Sequence, residues 1–205
     1  MAAPKLDPDT SLVEACQAQA LEGLEGPFRK IYELYKDRVY NVCYRVTGNA
    51  SDALDASQET FGILFRKIGG FRFQSRFSSW IYRIAINASI DLKRRQGSRR
   101  LASLEAVTGA NDGDGGRFDF EDGSVELPPE VASRRELEAE VQRAIGRLSP
   151  KLRSITVLRY IESLSYDEIA ETLDISLGTV KSRLSRAHAA MDRELTPVLH
   201  KHYLS

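Results

Sequence analysis

The stretch 165–195, SYDEIAETLDISLGTVKSRLSRAHAAMDREL, confines the fold more than any other, because it admits little besides two helices joined at a tight turn. Ser165 is a favourable N-cap, and Glu168 three residues later can return a hydrogen bond to the cap amide. Ile169, Ala170 and Leu173 line one face, with Ala170 placed where a crossing helix needs a small side chain. Asp174 stands at the turn, where tolerance of the left-handed region is required. Ser176 can cap the second helix, whose apolar stripe is Val180, Leu184, Ala187 and Met191. Thr179, Lys181, Ser182, Arg183, Ser185 and Arg186 fall on or beside the opposite face. A short helix, a turn and a longer helix with an outward row of Lys, Ser and Arg describe a helix-turn-helix, whose second helix can enter the major groove of DNA. Arg and Lys can address guanine edges or phosphates, and Ser either.

The net charge is zero, but the blocks are not neutral. Residues 1–27 hold one basic and five acidic residues, and 28–100 hold fifteen and six. Residues 101–133 hold one and eight, and 134–205 hold twelve and ten. A basic N-terminal half and a mildly basic C-terminal half thus flank an acidic middle. Cys16 and Cys43 are the only cysteines. With no CxxC and no histidine cluster, free thiols are expected rather than a disulfide framework or zinc site. The sequence has no leader-like start and no run of roughly twenty apolar residues, which points to a cytoplasmic protein.

In chain order, residues 1–10 are expected to be disordered, and Ser11 to about Glu22 to form a short helix. Pro27 suits the first turn of a long helix with Phe28, Ile31, Tyr32, Tyr35, Val39, Val42, Cys43 and Val46 inward, ending at Thr47-Gly48-Asn49. A second helix is expected over about 51–68, with Phe61, Leu64, Phe65 and Ile68 on its apolar side. A third is expected over about 78–95, with Ile81, Ile84, Ala85, Ala88 and Leu92 inward. Three helices with short loops close a small core. Residues 96–133, rich in Gly and acid, read as a flexible linker. Beyond it, Leu137, Val141, Ala144, Ile145 and Leu148 form a stripe, and Ser149-Pro150 opens a helix with Ile155, Leu158 and Ile161 inward. His200 and His202 fall in the C-terminal tail.

Two features of the N-terminal half carry chemistry. Asp52, Asp55 and Glu59 form a carboxylate row at helical spacing, which could be a solvated face, a docking surface or a metal site. The lack of a partner row elsewhere argues against the metal. The loop 71–80, FRFQSRFSSW, interleaves Phe71, Phe73, Phe77 and Trp80 with Arg72, Gln74, Ser75 and Arg76. Aromatic rings clustered this closely are often core, and Phe77 and Trp80 are expected to be partly so. Rings interleaved with cations also suit single-stranded nucleic acid, whose unstacked bases lie on the rings. Lys93, Arg94, Arg95, Arg99 and Arg100 extend the positive surface.

With both halves in view, the chain resembles an extracytoplasmic function (ECF) sigma factor of the sigma-70 family. LSPKLRSITVLRYIESLSYDEIAETLDISLGTVKSRLSRAHAAMDREL is similar to the family's fourth region. DALDASQETFGILFRKIGGFRFQSRFSSWIYRIAINASIDLKRR, including QETF, WIYRIA and the following Asn87, is similar to its second. The chain departs from the family pattern at Asp52-Ala53-Leu54-Asp55-Ala56, at Asp174 in place of a turn Gly, and in a longer, more acidic linker.

The resemblance implies an all-α chain of two small helical domains joined by a flexible acidic linker. It divides the chain into an N-terminal extension (1–26), region 2 (27–96), linker (97–133), region 4 (134–197) and tail (198–205). It implies a non-enzymatic protein, without cofactor or metal, that binds bacterial core RNA polymerase and promoter DNA. Asp52, Asp55, Gln58 and Glu59 would dock on the beta-prime clamp helices, and region 4 on the beta flap. Phe71, Arg72, Phe73, Gln74, Ser75, Arg76, Phe77, Trp80 and Asn87 would open the minus-ten element and hold a flipped base. Thr179, Lys181, Ser182, Arg183, Ser185 and Arg186 would read the minus-thirty-five element. The linker would thread toward the polymerase channels, and an anti-sigma protein could clamp the two domains. Two readings compete: an ordinary helix-turn-helix regulator of duplex DNA, and a nucleic-acid enzyme using the carboxylate row with a metal.

Overall fold

The computed structural model describes residues 7–18, 26–105 and 129–203, and every described element is a helix or a turn. Residues 1–6, the linker segment 106–128 and the side chains of Arg99, Arg100, His200 and His202 lie outside the described residues. The short α1 (Thr10–Ala18) precedes three long helices, α2 (Pro27–Thr47), α3 (Ala50–Lys67) and α4 (Phe77–Glu105). After them come α5 (Pro129–Arg147), α6 (Pro150–Tyr160), α7 (Tyr166–Leu173) and α8 (Leu177–Tyr203).

The ends of α2 and α3 are set by local chemistry. Pro27 occupies the first turn of α2, where its missing N–H costs nothing, and Gly48 closes the helix in the left-handed region at φ 86°. The side chain of Asn49 then caps α3 by accepting from the Asp52 amide at 2.7 Å. The core gathers Ile31, Tyr35, Val39 and Val42 of α2, Ala53, Ala56 and Leu64 of α3, and Ile81 and Ala85 of α4. Thr60 and Ser89 are fully buried with them. Each hydroxyl donates to the carbonyl four residues back, Ala56 at 2.6 Å and Ala85 at 2.8 Å, so neither is an orphan in the core. Tyr32, expected inward, is 42 % exposed and lies edge-on to Phe61.

Several expected boundaries move. Asp7 and Asp9, placed in a disordered start by the sequence, pack against the fold through hydrogen bonds to Phe77 and Tyr35. Helix α4 continues to Glu105 instead of stopping near Arg95, and α5 starts at Pro129 instead of about Ser133, so helix takes both ends of the expected linker. One glycine, Gly97, is not enough to stop α4: it costs about 1 kcal/mol, and the residues after it favour helix. Helix α8 likewise runs through Pro197 to Tyr203, over the start of the expected tail. Ser149 precedes α6 without a side-chain cap. Ile161 lies past the end of α6 and is 39 % exposed rather than inward.

The burial of α6 shows how the halves meet. Ser154, Ile155, Thr156, Val157 and Leu158 are all buried, a run no one-sided amphipathic helix would show. Helix α6 packs against both α8 and α2, and α7 packs on α4; Tyr82 of α4 is buried beside Glu162, in the connection after α6. Polar anchors tie this contact. Arg153 donates to Val46 O at 2.6 Å, Arg45 to Gln142 Oε1 at 2.8 Å, and Arg83 Nε to Thr172 O at 2.7 Å. A second nitrogen of Arg83 also donates to Glu171 O, so one guanidinium caps the end of α7.

Candidate nucleic-acid and polymerase interfaces

The C-terminal helix-turn-helix is built as the sequence requires. Ser165 accepts from the Glu168 amide at 3.3 Å while Glu168 accepts from the Ser165 amide at 2.8 Å, a complete capping box. Asp174 makes the turn at φ 53°, ψ 54°, its amide bonded back to the last turn of α7. Ser176 caps α8 by accepting from the Thr179 amide at 3.2 Å. Val180, Leu184 and Ala187 are buried, and Met191 is half-buried. On the opposite side Lys181, Ser182, Ser185 and Arg186 are exposed, and their spacing keeps them on one face. Thr179 and Arg183 flank that strip half-buried, and the Thr179 hydroxyl meets Ser176 Oγ at 2.8 Å.

The aromatic loop separates into floor and surface. Phe77 is fully buried and Phe71 nearly so, their rings edge to face at 5.7 Å, with Trp80 tilted on Phe71 at 4.9 Å. Phe77, expected to be partly core, is wholly so, and Phe71, expected to face DNA, is core as well, because the loop needs an apolar floor where α4 begins. Phe73, Arg72 and Gln74 are exposed, and Phe73 is held at φ 55°. Ser75 and Arg76 are half-buried, and Arg76 is ion-paired with Glu168 at 2.8 Å. Trp80, half-buried, and the exposed Asn87 stand seven residues apart on α4, hence on one face about 10 Å apart.

The carboxylate row divides as well. Asp55 and Glu59 are exposed, with Arg66 loosely paired to Glu59 at 3.7 Å. Asp52 is only 8 % exposed, which removes it from the expected docking face. It accepts from Gln96 at 2.6 Å and Asn49 at 2.6 Å, and Lys93 lies 3.1 Å away. Burial pushes this carboxyl up, but those three donors more than offset it and hold it below the usual range. The free face of α3 comprises Asp55, Gln58 and Glu59 with Leu54, which is 52 % exposed. Leu54 escaped the sequence reading because a single leucine on an amphipathic helix carries no periodic signal. Asp55, Glu59 and Asn87 line one groove of about 370 Å³ between α3 and α4, together with Lys67, Asp91 and Arg95. Among the described residues, no group of three or more His, Cys, Asp or Glu could hold a metal ion. Among the described residues, no helix is long and apolar enough to cross a membrane.

Comparison with known proteins places these features. Residues 31–99 match Sigma-70 region 2, and residues 138–191 match Sigma-70 region 4. The chain belongs to the sigma-70 family. It is 36 % identical over 177 residues to the ECF RNA polymerase sigma factor SigW of Bacillus subtilis, covering 86 % of this chain and 93 % of that one. It is 34 % identical over 191 residues to the RNA polymerase sigma-H factor of Pseudomonas aeruginosa, covering 93 % and 95 %. The ECF sigma-E factor of Escherichia coli is 32 % identical over 194 residues, covering 94 % and 97 %. Among solved structures, the sigma factor RpoE of Bartonella quintana, in complex with the anti-sigma factor NepR, shares the fold with a TM-score of 0.61. That match is 21 % identical and covers 82 % of this chain and 96 % of the other. CnrH, in complex with the cytosolic domain of CnrY, shares it with a TM-score of 0.64 at 22 % identity, covering 92 % and 97 %. As an ECF sigma factor, the chain directs transcription initiation at promoters, and region 2 carries the aromatic loop and region 4 the helix-turn-helix.

Proposed function

We propose that this sigma factor docks on core RNA polymerase through Leu54, Asp55, Gln58 and Glu59 of α3, and through region 4 on the beta flap. It opens the minus-ten element with Arg72, Phe73, Gln74, Ser75 and Arg76 of the loop, together with Trp80 and Asn87. It reads the minus-thirty-five element with the exposed strip Lys181, Ser182, Ser185 and Arg186, flanked by Thr179 and Arg183. It works in the cytoplasm, contributes no catalytic group of its own, and is held in check by an anti-sigma protein, as the solved relatives were captured with theirs.

The observation that carries this reading is the presence in one chain of two unlike exposed surfaces, each with chemistry suited to DNA. The strip on α8 has the dimensions and chemistry for a duplex groove, whereas an exposed Phe among exposed Arg and Gln suits unpaired bases. Each good bidentate base contact discriminates by about 1–3 kcal/mol, so neither surface alone selects a promoter from a genome. Two modest readers tied to one polymerase combine their discrimination.

Run-off transcription with core polymerase on genomic promoter fragments tests it. Discrete new start sites sharing two spaced elements are expected, together with thymine reactivity to permanganate that Trp80→Ala lowers. Absence of core binding and of start sites, with duplex DNA bound by the chain alone, would establish an ordinary helix-turn-helix regulator instead.

A further inference from the structure

The segment 7–18 lies outside the stretch matched to region 2, yet it touches the aromatic loop at both ends. At the first end, the carboxamide nitrogen of Gln17 donates to two carbonyls, Ile68 O and Phe71 O, each at 2.9 Å. Both hydrogens of the amide are therefore spent on the turn that leads into the loop. At the other end, Asp7 Oδ2 accepts from the Phe77 amide at 2.5 Å. Phe77 is the first residue of α4, so its amide has no carbonyl one turn earlier to pair with. The segment is itself fixed: Val13 is fully buried, and Asp9 accepts from the Tyr35 hydroxyl.

We propose that Asp7 and Gln17 are positioning residues of strand opening, fixing the separation of the loop's two ends so that its surface is formed before DNA arrives. The inference rests on the role proposed above for the loop. A six-residue tether following Gly69-Gly70 has ample freedom, and Phe73 sits in a left-handed conformation that a free loop would leave. Phe71 and Phe77 anchor the loop from beneath. Among the described residues, Gln17 and Asp7 hold its backbone from the side chains of another segment. A site that must capture an unstacked base gains from being rigid, because the ordering is then complete before the encounter.

The test uses the full chain bound to core polymerase, on a promoter fragment from which the wild type initiates. Gln17→Glu keeps the length of the side chain but cannot donate to the two carbonyls. Asp7→Ala removes the acceptor, whereas Asp7→Asn retains one. Gln17→Glu and Asp7→Ala are expected to slow the appearance of permanganate-reactive thymines about threefold to tenfold, the range of one or two lost hydrogen bonds. Asp7→Asn should recover most of the rate. Affinity for core polymerase and initiation from a template with a pre-opened mismatched bubble should stay at wild-type levels. Opening at the wild-type rate in both variants would overturn the inference. So would a loss shared equally by core affinity and the pre-opened template, which would mark a general folding role. If Trp80→Ala opens DNA normally, the reading of the loop itself fails, and the inference with it.

Discussion

Arg76, on the loop proposed to hold single-stranded DNA, is ion-paired at 2.8 Å with Glu168, the residue that closes the capping box of α7. The two surfaces proposed to meet DNA thus touch one another. On that reading, engaging two separate promoter elements at about 3.4 Å of duplex per base pair requires the two halves to part, and each contact between them opposes initiation.

The Arg76–Glu168 pair should therefore be removable without unfolding α7. Glu168→Gln keeps an acceptor for the Ser165 amide while losing the charge. Both partners are partly exposed, so the pair contributes at most about 1 kcal/mol and is screened by salt. Small-angle scattering should show a larger radius of gyration for the variant at low salt, and a difference that vanishes at high salt.

On α8, Arg186→Ala and Lys181→Ala should weaken binding to the upstream element without altering the thermal midpoint, because both side chains are exposed. A residue that meets a base edge should cost about 1–3 kcal/mol and relax preference at one base pair. One that meets a phosphate should lower affinity for all sequences alike and reduce the salt dependence. Binding isotherms on single-substituted duplexes at several salt concentrations separate the two.

Asp52 links the start of α3 to α4, and its charge is stabilising. Its pKa in the fold lies below the ordinary value of 3.8, so its contribution is complete above that value and is lost as pH falls through the lower one. Asp52→Asn should cost about 1–3 kcal/mol in denaturant unfolding at pH 7, and less as pH drops below about 4. It should weaken core binding less than loss of the exposed Glu59 does.

Asp174 occupies the left-handed region, which penalises a side chain with a Cβ. Asp174→Val should lower stability by about 1–2 kcal/mol, and Asp174→Gly should leave it equal or slightly raised. Thermal unfolding of the three proteins checks the order.

Cys43 is buried, and burial pushes its thiol up to about 11, whereas Cys16 is only half-buried. A native thiol titration should show one prompt and one protected cysteine. Labelling of Cys43 should follow global unfolding rather than thiol chemistry.

Local signals made much of this molecule legible in the sequence. Ser165 with Glu168, Asp174 at the turn, and Gly48 with Asn49 each act within one turn of chain, and the structure has each as expected. What escaped was set at long range. Asp52 is buried because Gln96 and Lys93, more than forty residues on, converge on it. Tyr82 is buried where Glu162, eighty residues on in the connection after α6, meets it. Phe71 shows the limit most clearly. Four aromatics in ten residues announce a special loop, and Phe77 and Trp80 read as partly core, but nothing local tells that Phe71 joins its floor.

Arg83 completes α7 from the other half by donating to the carbonyls of Thr172 and Glu171. Once the halves part, these carbonyls and the guanidinium must be hydrated, so the parting takes up water. Solutes excluded from protein surfaces oppose such uptake. On the proposed reading, promoter engagement is therefore expected to slow as an excluded solute is added, and the hydration of these two carbonyls at the end of α7 sets part of that sensitivity.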